Sequence, residues 1–190
     1  MTVAHPSALE FLASRRSLPA KTFKAPVPSR EEVMQILQIA TRVPDHGKLE
    51  PWRLIVVDRK AMAGLADLAE ARAKELGGDE EKITKGRNQY DLGQLAVVVI
   101  SSPKSVEKVP LSEQILSAGA LCMNIVTTAT AAGWGACWLS GWPSHDAEFR
   151  QRAFGCGEGE TVAGIIHIAT ATVTPPDRPR PDLSKIVTWA

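Results

Sequence analysis

The stretch from Ile115 to Ala132 constrains the chain more than any other. It runs without a charged side chain and is nearly long enough to cross a bilayer. Ser117, Asn124, Thr127, Thr128 and Thr130 make it too polar for a membrane span. The expectation is instead a buried helix from about Leu111 to Ala132, apolar nearly all round and central to the fold. Its small residues Ser117, Ala118, Gly119, Ala120 and Ala129 would let another helix approach closely, from the same chain or from a second copy. With 190 residues there is enough material to bury such a helix in one compact domain, and too little for separate cofactor and substrate domains.

The remaining pattern surrounds that helix with alternating strands and helices. Leu95 to Ser101 is a continuous apolar run, the mark of a strand covered on both faces. Trp52 to Val57, Ala136 to Leu139 and Thr161 to Thr172 read as further strands. Capping boxes at Ser7–Glu10 and Ser29–Glu32 predict two helices near the start. Asp58 opens a helix to about Leu76, Asp79 to Asn88 reads as an exposed helix, and Ser144 opens one to about Phe154. The spacing predicts an α+β, three-layer domain over residues 1–190, with a central mixed or antiparallel sheet flanked by helices. Residues 174–190 are expected to form an extended C-terminal arm, proline-rich and basic from Thr174 to Pro181.

Composition removes several classes of function. A formal net charge of +1 gives no global pull toward nucleic acid or anionic membrane, so any basic site is local. Cys122, Cys137 and Cys156 form no CxxC and fit a reduced, cytoplasmic protein better than a disulfide framework. Met1 to Leu12 carries no basic segment followed by an apolar run, so no secretory signal is expected. His5, His46, His145 and His167 show no ligand spacing, and no metal is expected. His167, inside an apolar strand, reads as a satisfied core residue. Nucleotide-binding glycine motifs and metalloprotease or hydrolase signatures are absent.

Three segments hold the chemistry-bearing residues. Arg15-Arg16-Ser17, followed by Lys21 and Lys24, offers two guanidinium forks and a hydroxyl suited to a phosphate, or else a solvated basic helix end. Arg42 to Trp52, bounded by Pro44 and Pro51, packs charged residues and one glycine into a loop that is either a binding loop or a plain connection. Gly135 to Pro143 sets Trp138 and Trp142 around Ser140 and Gly141. That places flat apolar surface beside turn amides and suits a planar heteroaromatic ligand, or else simple core packing.

In order and spacing these segments resemble the FMN-dependent nitroreductase family, in its short branch of minimal NAD(P)H nitroreductases. The likeness runs through Arg15-Arg16-Ser17, the Pro44-to-Pro51-Trp52 loop and the Gly-x-x-Trp-x-Ser-Gly of residues 135–141. Phe154-Gly155-Cys156 and Val162 to Ile166 extend it. The resemblance implies a homodimer with shared FMN sites. Arg15, Arg16 and Ser17 would hold the phosphate, ribityl chain and pyrimidine edge. Arg42 and His46 would reach over the flavin from the partner subunit, and Trp138, Leu139 and Ser140 would line the ring. Arg178 and Arg180 would add phosphate contacts.

The implied reaction is hydride transfer from NADH or NADPH through flavin N5 to a small electron-poor acceptor such as a nitroaromatic or quinone, with no catalytic acid named. Other flavin reactions on the same fold, or flavin binding without turnover, are the alternatives. Many family members carry RRSxRxF, where this chain places Lys21 two residues further on. In the loop, Asp45, Lys48 and Glu50 stand where PSxxNxQPW has Ser, Asn and Gln. Lys21 or Lys48 would be the cation beside the pyrimidine.

Overall fold

A computed structural model describes residues 4–105 and 107–190. The reading of residues 1–12 as lacking a signal therefore falls partly on residues 1–3, outside the described residues. Strand β3 (Leu95–Ser101) is buried at every position and explains the layering. Side chains alternate across a strand. Leu95, Val97 and Val99 therefore enter one core with α2 (Arg30–Ala40) and α5 (Leu111–Ala131), while Ala96, Val98 and Ile100 enter another. That second core holds Met62, Ala66 and Ala69 of α3 (Arg59–Glu75), Tyr90 of α4 (Glu80–Asp91), and Phe149 and Phe154 of α7 (Ala147–Phe154). Two helical layers thus sandwich one sheet.

The sheet is antiparallel throughout. Strand β5 (Thr161–Ala171) pairs with β1 (Phe23–Lys24), with β3 and with β4 (Gly135–Leu139), and β2 (Trp52–Asp58) lies on the far side of β3. A register shift separates the pair Val99–Gly164 from Ile100–Val162, which marks a β-bulge at Ala163.

Local sequence explains most helix starts. Ser29 and Glu32 form the expected reciprocal capping box, and Asp58, Asp79 and Asp146 each accept a backbone N–H from the first turn of α3, α4 and α7. Two expectations are corrected. Helix α1 (Pro6–Ser14) starts one residue before Ser7, on Pro6, whose fixed φ suits a first turn, and it has no side-chain cap. Ser144 lies inside a four-residue helix, α6 (Trp142–His145), and Asp146 is the residue that caps α7.

Helix α5 departs from expectation in being covered on one face only. Ser117, Ala118, Leu121, Cys122, Ile125, Val126 and Ala129 are buried, whereas Leu111, Ile115, Leu116 and Met123 are exposed, Leu116 by 72%. The buried Gln114 near its start accepts the Lys104 backbone N–H (2.7 Å) and donates to the Lys104 and Val109 carbonyls. His167 is buried but not satisfied, since neither ring nitrogen has a hydrogen-bond partner. It packs against Gly93, where a Cβ would meet its Cε1 at 2.9 Å, and desolvation pushes its pKa down to about 4.

Candidate functional site

Helix α1 ends where Arg15 leaves helical geometry (φ −54°, ψ 134°), its backbone N–H still bonded to the Phe11 carbonyl at 2.8 Å. Downstream, Leu18 donates its N–H to the Ala136 carbonyl, and Leu18, Ala20 and Phe23 pack on Cys137 and Ala169. The basic tripeptide is therefore suspended between a helix end and an anchored segment. It lines a cavity of about 640 Å³ together with Arg178 and Arg180 of the C-terminal arm.

Hydrogen bonds tie that arm across the cavity. Arg16 Nη1 donates to Asp177 Oδ1 (3.0 Å) and to the Pro176 carbonyl. Arg180 Nη2 donates to the Ala13 carbonyl (2.7 Å), and its Nη1 lies 3.4 Å from Asp177 Oδ1. The Arg178 backbone N–H, followed by Arg180 and Arg16, holds the Asp177 carboxyl below its ordinary pKa. Arg15 Nη1 is buried with no partner at all. A buried cationic donor left unmet is costly, and four guanidinium groups around one space repel each other. Negative charge in the cavity would offset that repulsion.

The second segment is a strained loop. Gly47, Lys48 and Glu50 take φ values of 74°, 53° and 47°, left-handed geometry that non-glycine residues adopt at a cost. Asp45 holds the turn, with its two carboxylate oxygens accepting the Leu49 N–H (3.0 Å) and the Glu50 N–H (2.9 Å). His46 Nδ1 lies 2.7 Å from Glu113 Oε2 of α5, and Trp52 Nε1 donates to Ser117 Oγ (3.2 Å). A smaller cavity of about 340 Å³ sits between Pro44, His46 and the open face of α5. Asn124 donates to the Ala40 and Arg42 carbonyls, fixing the loop entry, while the Arg42 side chain points to solvent.

The third segment exploits the bulge on β5. Trp138 Nε1 donates to the Ala163 carbonyl (3.2 Å), and the indole lies where a Cβ on Gly164 would meet Trp138 Cδ1 at 2.6 Å. Gly119 of α5 lies on its other side, and 41% of Trp138 remains exposed. Leu139 points to the opposite face of β4 and packs on the Leu18–Phe23 cluster, and Ser140 is exposed at the turn.

Within one chain, then, Arg15, Arg16, Ser17, Arg178 and Arg180 share a cavity, His46 lines another, and Trp138 forms a flat apolar surface beside α5. Among the described residues no hydrogen bond or ion pair joins the arginine cavity to Arg42 or His46. Sequence reasoning missed Asp177, Glu113 and Gly164. Asp177 meets Arg16 across 161 positions, and Glu113 meets His46 across 67, so no local spacing could reveal either. Gly164, a glycine inside an apolar strand, was a readable sign of a bulge or a close approach. Among the described residues no group of three or more His, Cys, Asp or Glu side chains is placed to hold a metal ion.

Residues 12–169 match the Nitroreductase family model. "Putative NAD(P)H nitroreductase YdjA" of Escherichia coli K12 is 33% identical over 163 residues, covering 86% of this chain and 87% of its own length. A similarly named protein of Haemophilus influenzae is 34% identical over 164 residues, covering 86% and 88%. The structure of a nitroreductase-like family protein from Bacillus cereus superposes with a TM-score of 0.80 at 20% identity, over 100% of this chain and 99% of the other. A mutant of the FMN and NADPH-dependent nitroreductase NfnB from Sphigopyxis sp. strain HMH gives 0.74 at 19%, over 96% and 98%. The family model spans Arg15–Ser17, the strained loop and the Trp138 turn, and the relatives cover most of the chain: the chain belongs to the Nitroreductase family.

Proposed function

We propose that this chain is an FMN-dependent oxidoreductase that uses NADH or NADPH to reduce a small electron-poor acceptor such as a nitroaromatic or quinone. The observation that carries the cofactor reading is the cavity lined together by Arg15, Arg16, Ser17, Arg178 and Arg180. That donor set fits the terminal phosphate of FMN through charge-assisted, bidentate contacts. Names of relatives support the same reading, since they include NAD(P)H nitroreductases and an FMN and NADPH-dependent enzyme.

When bound, FMN supplies reversible hydride chemistry, and the protein supplies position, electrostatics and exclusion of water. Arg15, Arg16 and Ser17 hold the phosphate end. Trp138 and the Leu139–Ser140 backbone present flat apolar surface and turn amides to the ring. Arg42 and His46 act from the partner subunit, with Glu113 orienting His46 and Asp45 holding the loop. A homodimer is supported by the exposed Leu111, Ile115, Leu116 and Met123 of α5, an apolar stripe that a solitary chain leaves in water. The three cysteines are buried and unpaired, in keeping with a cytoplasmic setting.

The test is direct. Purified full-length protein is mixed with FMN, freed of excess flavin, and treated with NADH or NADPH without oxygen. Retained yellow colour that bleaches, then returns on adding a nitroaromatic or quinone, is the expected result. A colourless protein that ignores FMN refutes the cofactor reading, and bound flavin that neither nicotinamide bleaches refutes the enzyme.

A further inference from the structure

We infer that Asp177 is an internal stand-in for the phosphate, occupying its donors so that the C-terminal arm guards the cavity against weakly charged ligands. The inference rests on the phosphate-binding reading above and concerns how that same site selects its ligand.

Three donors converge on one oxygen. Asp177 Oδ1 takes Arg16 Nη1 at 3.0 Å, the Arg178 backbone N–H at 2.8 Å and, more distantly, Arg180 Nη1 at 3.4 Å. Two guanidinium groups and a backbone amide around a single anionic oxygen are the surroundings a phosphate oxygen takes. Among the described residues, these are the only side-chain carboxylate contacts of the four cavity arginines.

The exposures of the two partners decide which one yields. The Arg16 side chain is 22% exposed and is also held by the Pro176 carbonyl, whereas the Asp177 side chain is 84% exposed. Asp177 can therefore turn into water at small cost, leaving Arg16 facing the cavity. The segment from Val173 to Asp182 forms neither helix nor strand, and Arg16 and Arg180 pin it through the Pro176 and Ala13 carbonyls. A phosphate dianion brings several oxygens and more charge than one carboxylate, so it displaces Asp177 from the shared donors. A flavin without a phosphate gains nothing by doing so. Asp177 thus weakens binding of the phosphorylated ligand and leaves the dephosphorylated one unaffected. The expected size is about 1.5- to fivefold in Kd, the scale of one exposed ion pair.

The experiment compares wild type, Asp177→Asn and Asp177→Ala in the full-length protein, by flavin fluorescence titration with FMN and, separately, with riboflavin. Circular dichroism establishes that each variant is folded. The expected result is FMN binding about 1.5- to fivefold tighter in both variants, with riboflavin affinity unchanged. FMN affinity that stays the same or falls in both variants overturns the stand-in role, as does equal tightening of riboflavin. Failure of wild type to bind FMN is a distinct outcome, seen before any variant is made, and it removes the flavin reading and this inference together.

Discussion

Replacing Arg15 with Met should move stability and flavin binding in opposite directions. In the free protein Arg15 Nη1 is buried with no hydrogen-bond partner, although the side chain retains some solvent contact. An unsatisfied buried donor costs about 1–3 kcal/mol. Met is of similar length and keeps the apolar stem packed without the unmet donor. The free protein should therefore gain about 1 kcal/mol, toward the low end because part of the guanidinium is hydrated. With FMN present, the same change removes a charge-assisted bond worth about 1.5–3 kcal/mol, so Kd should rise roughly 10- to 100-fold. Urea unfolding of flavin-free protein measures the first effect and fluorescence titration the second. A variant that is less stable without flavin, or that binds FMN as tightly as wild type, would refute the role assigned to the Arg15 guanidinium.

Other consequences follow from particular contacts. His167, with its folded pKa lowered by burial to about 4 against an ordinary 6.5, remains neutral while the unfolded chain takes up a proton. Its contribution is therefore intact above pH 6.5 and falls away between 6.5 and 4, by up to about 3 kcal/mol. His167→Leu should flatten that part of the stability-versus-pH curve in urea titrations, and an unchanged slope counts against it. Gly164→Ala should push the Trp138 indole off the bulge and break its bond to the Ala163 carbonyl, at about 1–2 kcal/mol. The indole N–H resonance of Trp138 should shift, and an unmoved signal refutes the seat. Leu116→Glu places a charge in the exposed α5 stripe and should give monomers by light scattering, while a persistent dimer would place the interface elsewhere.

Much of the fold was legible because it rests on short-range periodicity. The unbroken apolar run Leu95–Ser101 predicted a strand covered on both faces, and its alternate residues do feed two cores. The Ser29–Glu32 box fixed a helix start through bonds three residues apart. Misreadings were local competitions: Pro6 outbid Ser7 for the start of α1, and Asp146 rather than Ser144 capped α7. The one-sided burial of α5 was not readable, since its open face carries Leu111, Ile115, Leu116 and Met123, apolar residues that a fully buried helix would carry too.

Sequence alone indicated most of the elements, though not β1 or α6, together with the three layers and the order of the three polar segments, because those rest largely on spacings of two to four residues. Tertiary structure alone decided what those segments meet. It folded the arm back so that Arg178, Arg180 and Asp177 face Arg16, set His46 against Glu113, and opened a bulge beneath Trp138. Such contacts join residues that are distant along the chain. Their positions follow from how helices and strands pack against one another, and no local pattern of residues records that packing.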